Sequence, residues 1–392
     1  MKKRYLTNHI VKDLSKKMVF IGGARQVGKT SLAQYVGQNY FNSHEYLNWD
    51  YRDDRKKILQ SMFKGDADIV LFDEIHKYKD WKNYLKGQFD KHKDDFKMLV
   101  TGSARLDIYR KGGDSLMGRY YYYRLHPFSL PEFLGRENNL VPFEEIDFSD
   151  VGKESSEAFG VLYKFGGFPE PLFAQDEATL RRWHNQRLDR LVKEDIRDLE
   201  NIRDLSSLQI MIDILPDKVG SLLSLNSLRE DLSVAHKTVS KWAEILENFY
   251  YHFRIYPFSH KKLKSLKKEP KLYLYDWSEI NSNEAAKLEN ITASHLLKTC
   301  HYLNDTAGYK TELYFLRDIE GREVDFLVAE SGKPWFAVEV KSSSKEISRN
   351  LAYFDDKLNI PFLYQITSER NIDFRKDKIR TMSIDKFLLG LV

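Results

Sequence analysis

Gly23-Ala24-Arg25-Gln26-Val27-Gly28-Lys29-Thr30 sets two glycines around four residues and closes on a lysine and a hydroxyl, with Ser31 following. That spacing lets backbone N–H groups turn toward a phosphate chain. It also supplies a lysine for the β- and γ-phosphates and a threonine hydroxyl for Mg²⁺. The apolar run Met18–Ile21 reads as a buried strand leading in, and Thr30–Val36 as the start of a helix whose dipole adds positive potential. The segment predicts a nucleoside-triphosphate site with Mg²⁺.

Two carboxylates complete the expected chemistry. Asp68–Phe72 is a continuous apolar run, as in a strand buried on both faces of a parallel sheet, and it ends in Asp73-Glu74. Such a strand delivers both acids to one sheet edge, Asp73 to organise Mg²⁺ and Glu74 to activate the attacking water. A further strand, Phe96–Thr101, leads into Gly102-Ser103, where Thr101 or Ser103 could contact the γ-phosphate or orient the water. Arg119, in Ser115–Tyr120, is the first candidate for an arginine that senses the γ-phosphate, from its own or a neighbouring subunit; Arg105 is the second.

A separate cluster lies near the C-terminus. Arg322–Val328 alternates like a strand and carries Asp325; Trp335–Lys341 is another and carries Glu339 and Lys341. Side chains two apart on a strand share a face, so Glu339 and Lys341 point the same way. On adjacent strands, Asp325 and Glu339 could hold a divalent ion that polarises a phosphate, with Lys341 positioning water or offsetting charge.

Ala24–Thr30, Leu71–Lys77, Leu99–Arg105, Leu116–Arg119 and Gly166-Gly-Phe-Pro-Glu170, taken in order, resemble the bacterial and archaeal AAA+ superfamily ATPases with a C-terminal restriction-endonuclease-like domain of unknown function. The resemblance covers essentially the whole chain. It implies an α/β multidomain protein: a P-loop AAA+ parallel-sheet core, a helical lid, a winged helix and a nuclease-like α/β domain. The C-terminal acids resemble the PD-(D/E)xK nuclease motif, in which Glu289 matches the acidic residue of the first helix. Val324 stands where that motif has proline. The superfamily also suggests a homo-oligomer, with a hexameric ring as its arrangement.

The elements that would carry these residues divide the chain at 1–135 (ATPase core), 136–204 (lid), 205–277 (winged helix) and 278–392 (nuclease-like domain). Asp176–Asn201 reads as one long amphipathic lid helix. Asn226–Leu232, capped by Asn226, and Lys237–Asn248 flank a short turn, as in a helix-turn-helix, with Lys237, Thr238 and Lys241 opening the second helix. Strands Tyr250–Tyr256 and Leu272–Tyr275 then bracket a lysine-rich loop that suits a wing. Lys261, Lys262, Lys264, Lys267 and Lys268 in it are candidates for duplex or branched DNA. Glu289 falls in the helical stretch Asn283–Leu297.

Composition sets looser bounds. The 392 residues exceed one ordinary core, and a net charge of +4 does not by itself argue for nucleic acid. One cysteine, Cys300, excludes an intrachain disulfide and suits cytoplasmic residence. No apolar run approaches the ~20 residues a membrane span needs, and the basic start lacks the apolar core of a signal peptide. Two functions fit: ATP hydrolysis coupled to DNA binding or remodelling, with a C-terminal part that grips or cuts DNA, and a nucleotide-dependent switch that binds a protein partner.

Overall fold

The computed structural model describes residues 2–102, 116–148, 152–192, 204–259, 268–281 and 283–392. The chain forms two compact units, Met1–His126 with Asn248–Tyr250, and Pro127–Glu247 with Tyr251–Val392.

The first unit is built on five parallel strands: β1 (Met18–Gly23), β2 (His44–Asn48), β3 (Ile69–Asp73), β4 (Lys97–Thr101) and β5 (Tyr120–Leu125), in the order β2-β3-β4-β1-β5. Every residue of β1 and β3 is buried, which requires cover on both faces. Alternate residues Phe20, Val70, Phe72, Met98 and Val100 join Trp81 and Leu85 of the helix Trp81–His92 in one core. Because all five strands run the same way, their carboxyl ends meet at one edge. There Ile21 and Asp73 each stand in register with Thr101, and Gly23 with Leu125. After β1 the chain crosses to the far strand β2 and returns, while β5 lies on the other side of β1. In open α/β sheets that reversal marks the ligand crevice.

The second unit holds an eight-stranded mixed sheet. Its strands are β6 (His252–Pro257), β7 (Lys271–Leu274), β8 (Thr311–Arg317), β9 (Glu323–Glu330), β10 (Lys333–Lys341), β11 (Phe362–Thr367), β12 (Asp373–Lys376) and β13 (Ile379–Ser383), in the order β12-β13-β11-β10-β9-β8-β6-β7. The helix Arg349–Leu358 packs Leu351 and Phe354 against Leu316, Val324, Leu327, Ala337 and Leu363. The helix Glu284–Ala307 runs ten residues past the expected end at Leu297, starting from an Asn283 cap whose side chain accepts from the Ala286 N–H at 3.1 Å.

Two expected helices flank the turn at Ser233, one spanning Leu225–Leu232 and the other His236–Asn248. The first is capped by Ser224, two residues before the expected Asn226, with the Ser224 side chain accepting from the Ser227 N–H. β6 and β7 pair antiparallel, as a wing would, yet β6 also pairs parallel with β8. The hairpin is thus continuous with the C-terminal sheet, across the expected boundary at 277/278. The long helix expected from Asp176 is seen over Glu177–Arg190; its expected continuation to Asn201 lies mostly outside the described residues.

The Gly166-Gly167 pair has a packing reason. Gly166 adopts φ +76°, and a Cβ there would sit 2.6 Å from an Asp276 carboxylate oxygen. At Gly167 a Cβ would meet the Phe128 carbonyl at 2.6 Å and the Trp277 ring at 2.7 Å. The Phe128 N–H donates to the Gly167 carbonyl at 2.7 Å, so the two backbones cannot separate freely. Gly167→Ala is expected to cost about 1–3 kcal/mol by overpacking, read as a lower urea midpoint in tryptophan fluorescence. Gly160→Ala, on a helix with open space around it, should leave the midpoint unchanged or raise it. Equal midpoints for the two variants would refute this packing account.

Candidate functional site

The glycine loop leaves β1 at the sheet's carboxyl edge. Gly23 sits at φ +145°, and a Cβ there would come within 2.4 Å of the Leu125 carbonyl oxygen, so only glycine lets the loop pass β5. Gln26 and Gly28 are left-handed, at φ 62° and 100°. Gly28 heads the helix Lys29–Tyr40 and offers its first turn no side-chain cap. A helix start without a side-chain cap suits an anion. The buried Gln26 Oε1 has no hydrogen-bond partner. The buried Lys29 ammonium donates back to the Gly23 and Ala24 carbonyls at 3.0 and 2.7 Å, holding the loop curled around it.

Asp73 stands two strands from the loop, yet side chains join them. The Thr30 hydroxyl donates to Asp73 Oδ2 at 2.8 Å, Tyr46 donates to the same oxygen at 2.7 Å, and Thr101 donates to Oδ1. Asp73 is 5% exposed, and among the described residues its side-chain partners are these hydroxyls, with no ion pair. Burial, and then the Asp73 carboxylate, push the Tyr46 phenol well above its usual range. A buried carboxylate beside a threonine hydroxyl at the mouth of a phosphate loop is a donor set suited to Mg²⁺, which binds through one or two carboxylates plus substrate phosphates. The arrangement therefore fits ATP with Mg²⁺.

Glu74 adopts a left-handed φ of 56°, and its carboxylate lies 3.3 Å from the Lys77 ammonium and 3.5 Å from His76 Nε2. Lys77 also reaches Asp50 at 2.5 Å. Arg119 is not brought to the loop. It precedes β5 at the amino-terminal edge of the sheet, where its carbonyl accepts from the Met18 N–H and its guanidinium forks onto Asp90 at 2.7 and 3.0 Å. Arg25 and Ser31 are exposed beside the loop and Val27 is buried in it, while Ser103 and Arg105 lie outside the described residues.

Two participants have no signature in the sequence. Arg4, 1% exposed, donates to the Val27 carbonyl at 2.8 Å and the His126 carbonyl at 2.6 Å, tying the loop to the end of β5. It sits in a Lys-Lys-Arg run that reads as solvated charge. Tyr46 is one of 23 tyrosines, and nothing in its neighbourhood marks it.

In the second unit, β9 and β10 pair antiparallel, with Phe326 opposite Val338. Asp325 Oδ2 accepts from the Val340 N–H at 2.9 Å, and Lys341 pairs with Glu339 at 2.8 Å. Glu289 joins them from its helix, but through an unforeseen cation. The Lys271 ammonium lies 3.1 Å from Glu289, 2.6 Å from Glu323 and 3.4 Å from Asp325. The lysine run of the expected wing includes Lys271, yet it is 3% exposed. Burial, with Asp325 next, raises both Glu289 and Glu339 to about 7. Among the described residues no group of three or more His, Cys, Asp or Glu side chains is gathered to hold a metal.

Of the expected DNA contacts, Lys237, Lys241 and Lys268 are exposed and Thr238 is half-buried; Lys261, Lys262, Lys264 and Lys267 lie outside the described residues. No helix among the described residues is long and apolar enough to cross a membrane.

Comparison with known proteins agrees with this geometry at the level of the first unit. An AAA domain family model matches residues 15–134, and two domains of unknown function, DUF8612 and DUF4143, match 156–286 and 285–387. An uncharacterised protein of Methanocaldococcus jannaschii is 24% identical over 86% of this chain and 78% of its own length. One of Haemophilus influenzae is 24% identical over 86% of each chain. Among solved structures, the Thermotoga maritima RuvB Holliday junction branch migration motor is 18% identical, covers 64% of this chain and 87% of its own, and superposes with a TM-score of 0.32, too low to carry an argument. The residues that match the AAA domain model thus include the parallel sheet of the first unit and the glycine loop at its carboxyl edge.

Proposed function

We propose that this protein is a Mg²⁺-dependent ATPase whose turnover is coupled to DNA binding. The observation that supports the first part is the Thr30–Asp73 contact, a hydroxyl and a carboxylate of the kind that suits Mg²⁺, beside the loop that holds Lys29. In this reading the backbone N–H groups at the start of the helix Lys29–Tyr40 receive the phosphate oxygens. Lys29 would exchange its loop carbonyls for the β- and γ-phosphates, and Thr30 and Asp73 would hold Mg²⁺, which when bound would supply positive charge to those oxygens. Tyr46 and Thr101 keep the Asp73 carboxylate oriented. Glu74 takes the proton of the attacking water once its pairing with Lys77 opens.

Arg119 supports an oligomer. It lies at the sheet edge opposite the loop, so it reaches a γ-phosphate only in a neighbouring copy, after leaving Asp90. A closed ring, a hexamer in the superfamily's manner, supplies such a neighbour to every site. The DNA reading rests on Lys237 and Lys241, one turn apart and exposed on the second helix of the pair, and on the lysine run before β7. The nuclease-like unit grips rather than cuts in this reading, since its acids are already paired. The Glu74–Lys77 pair also favours a second reading, a slow nucleotide switch acting on a protein partner. Single-turnover kinetics separate the two, because a switch hydrolyses once and stays occupied.

Lys29→Ala is expected to abolish nucleotide binding. Glu74→Gln should keep binding but lower kcat about 10²–10⁴-fold, the usual worth of a general base. Full turnover by Glu74→Gln would remove Glu74 from the chemistry. Replacing both Lys237 and Lys241 by alanine should weaken duplex or four-way-junction binding and lower the salt slope by about 2 in log–log terms, measured by fluorescence anisotropy. If the wild-type protein binds no DNA form and none alters its ATPase rate, the DNA half of the proposal is wrong. Arg119→Ala should leave ATP affinity intact while reducing turnover about 10³-fold or more, the scale of an arginine supplied in trans. Loss of affinity in step with turnover would argue against that role.

A further inference from the structure

β7 is the edge strand of the eight-stranded sheet, and period-two alternation puts Lys271 and Tyr273 on one face of it. The buried Asn290 closes over that strand: its side-chain carbonyl accepts from the Leu274 N–H at 2.7 Å, and its amide donates to the Leu274 carbonyl at 2.8 Å. This clamp sets the register between β7 and the helix Glu284–Ala307. Glu289, the residue before the clamp, is thereby delivered to Lys271 at 3.1 Å and to the Tyr273 hydroxyl at 2.6 Å.

The carboxylate oxygens around Lys271 can be followed one by one. Glu289 Oε1 takes Lys271 and Tyr273; Glu323 gives one oxygen to Lys271 and the other to Arg317 at 2.7 Å. Asp325 gives Oδ1 to Lys271 and Oδ2 to the Val340 N–H. Glu339 gives Oε1 to Lys341, and its Oε2 is buried without a hydrogen-bond partner. Lys271 is therefore the cation shared by three acids, and its side chain is only 4% exposed. An ammonium offers donors in three directions and the charge of one proton, which suits three monodentate oxygens at these distances. A divalent ion drawn to Asp325 would stand beside that ammonium, in a place too dry to screen the repulsion.

We propose that Lys271 is the resident cation of this carboxylate cluster and excludes divalent metal from it. The metal-dependent chemistry suggested by the acid–variable–lysine pattern on β10 is thereby barred by a residue on another strand. The cluster serves to fasten β7 and its helix to β9. The high affinity of Glu289 and Glu339 for protons agrees with a site crowded with negative charge even while Lys271 is present. The inference is independent of whether ATP is hydrolysed.

The test uses the full-length chain without nucleotide and Mn²⁺ as the probe, with bound metal counted by electron paramagnetic resonance. The wild-type protein and Asp325→Asn should bind Mn²⁺ alike. Lys271→Met should gain one ion at least about tenfold tighter than anything in the wild type, as unpaired carboxylates demand a cation. Asp325→Asn added to Lys271→Met should remove that ion, and Lys271→Arg should not gain it. Mn²⁺ should also raise the unfolding temperature of Lys271→Met by more than that of the wild type. Lys271→Gln replaces the methionine variant if the latter does not fold. An Asp325-dependent Mn²⁺ ion in the wild type overturns the proposal, as does a folded Lys271→Met or Lys271→Gln that gains none.

Discussion

The register between β3 and β4 is the constraint on which the first unit's site depends. Asp73 pairs with Thr101, and Thr101 with Ile21, so the strand between them sets the distance between the glycine loop and Asp73. The Asp73 carboxylate then takes hydroxyl donors from three different elements: Thr30 from the helix, Tyr46 from β2 and Thr101 from β4. A slip of one residue in either pairing would turn Asp73 to the other face of the sheet.

Much of this was legible in the chain, and the reason is locality. The loop, its helix and the Asp73-Glu74 pair each occupy a few consecutive residues whose types and spacing express one physical demand. Asp325, Glu339 and Lys341 were legible too, through period-two alternation on two neighbouring strands. Arg4 was not: its acceptors lie 23 and 122 residues away, and a basic N-terminal run gives no hint that one member is buried. Tyr46 and Lys271 were hidden in the same way. Each acts on carboxylates that pattern reading finds, but from strands whose placement depends on the completed sheet. Lys271 was misjudged for a further reason, since a lysine after a lysine-rich stretch reads as more of the same. The edge strand β7 instead turns it inward.

Sheet membership also explains why the hairpin looked like a separate wing. Helix, turn, helix and two strands in succession are a complete local pattern, and nothing in it announces the parallel pairing of β6 with β8 across some fifty intervening residues. Parallel partners always leave this gap, because the chain must travel the length of the strand before it can return. The helix Glu284–Ala307 is the return path here, and its length matches that task better than the shorter helix expected.

The two carboxylate sites resolve the same electrostatic problem in opposite ways. A buried anion must be neutralised, protonated or surrounded by donors. At Asp73 the chain supplies hydroxyls and, among the described residues, no cation, which leaves the charge available to an arriving ion. At Glu289, Glu323 and Asp325 it supplies Lys271, a fixed cation that each of the three touches. Acid count alone cannot separate these cases, since the second cluster has more carboxylates than the first. What separates them is whether the nearest donors are neutral or charged. By that criterion the Asp73 site suits an exchangeable cation, and the Lys271 cluster suits one that stays.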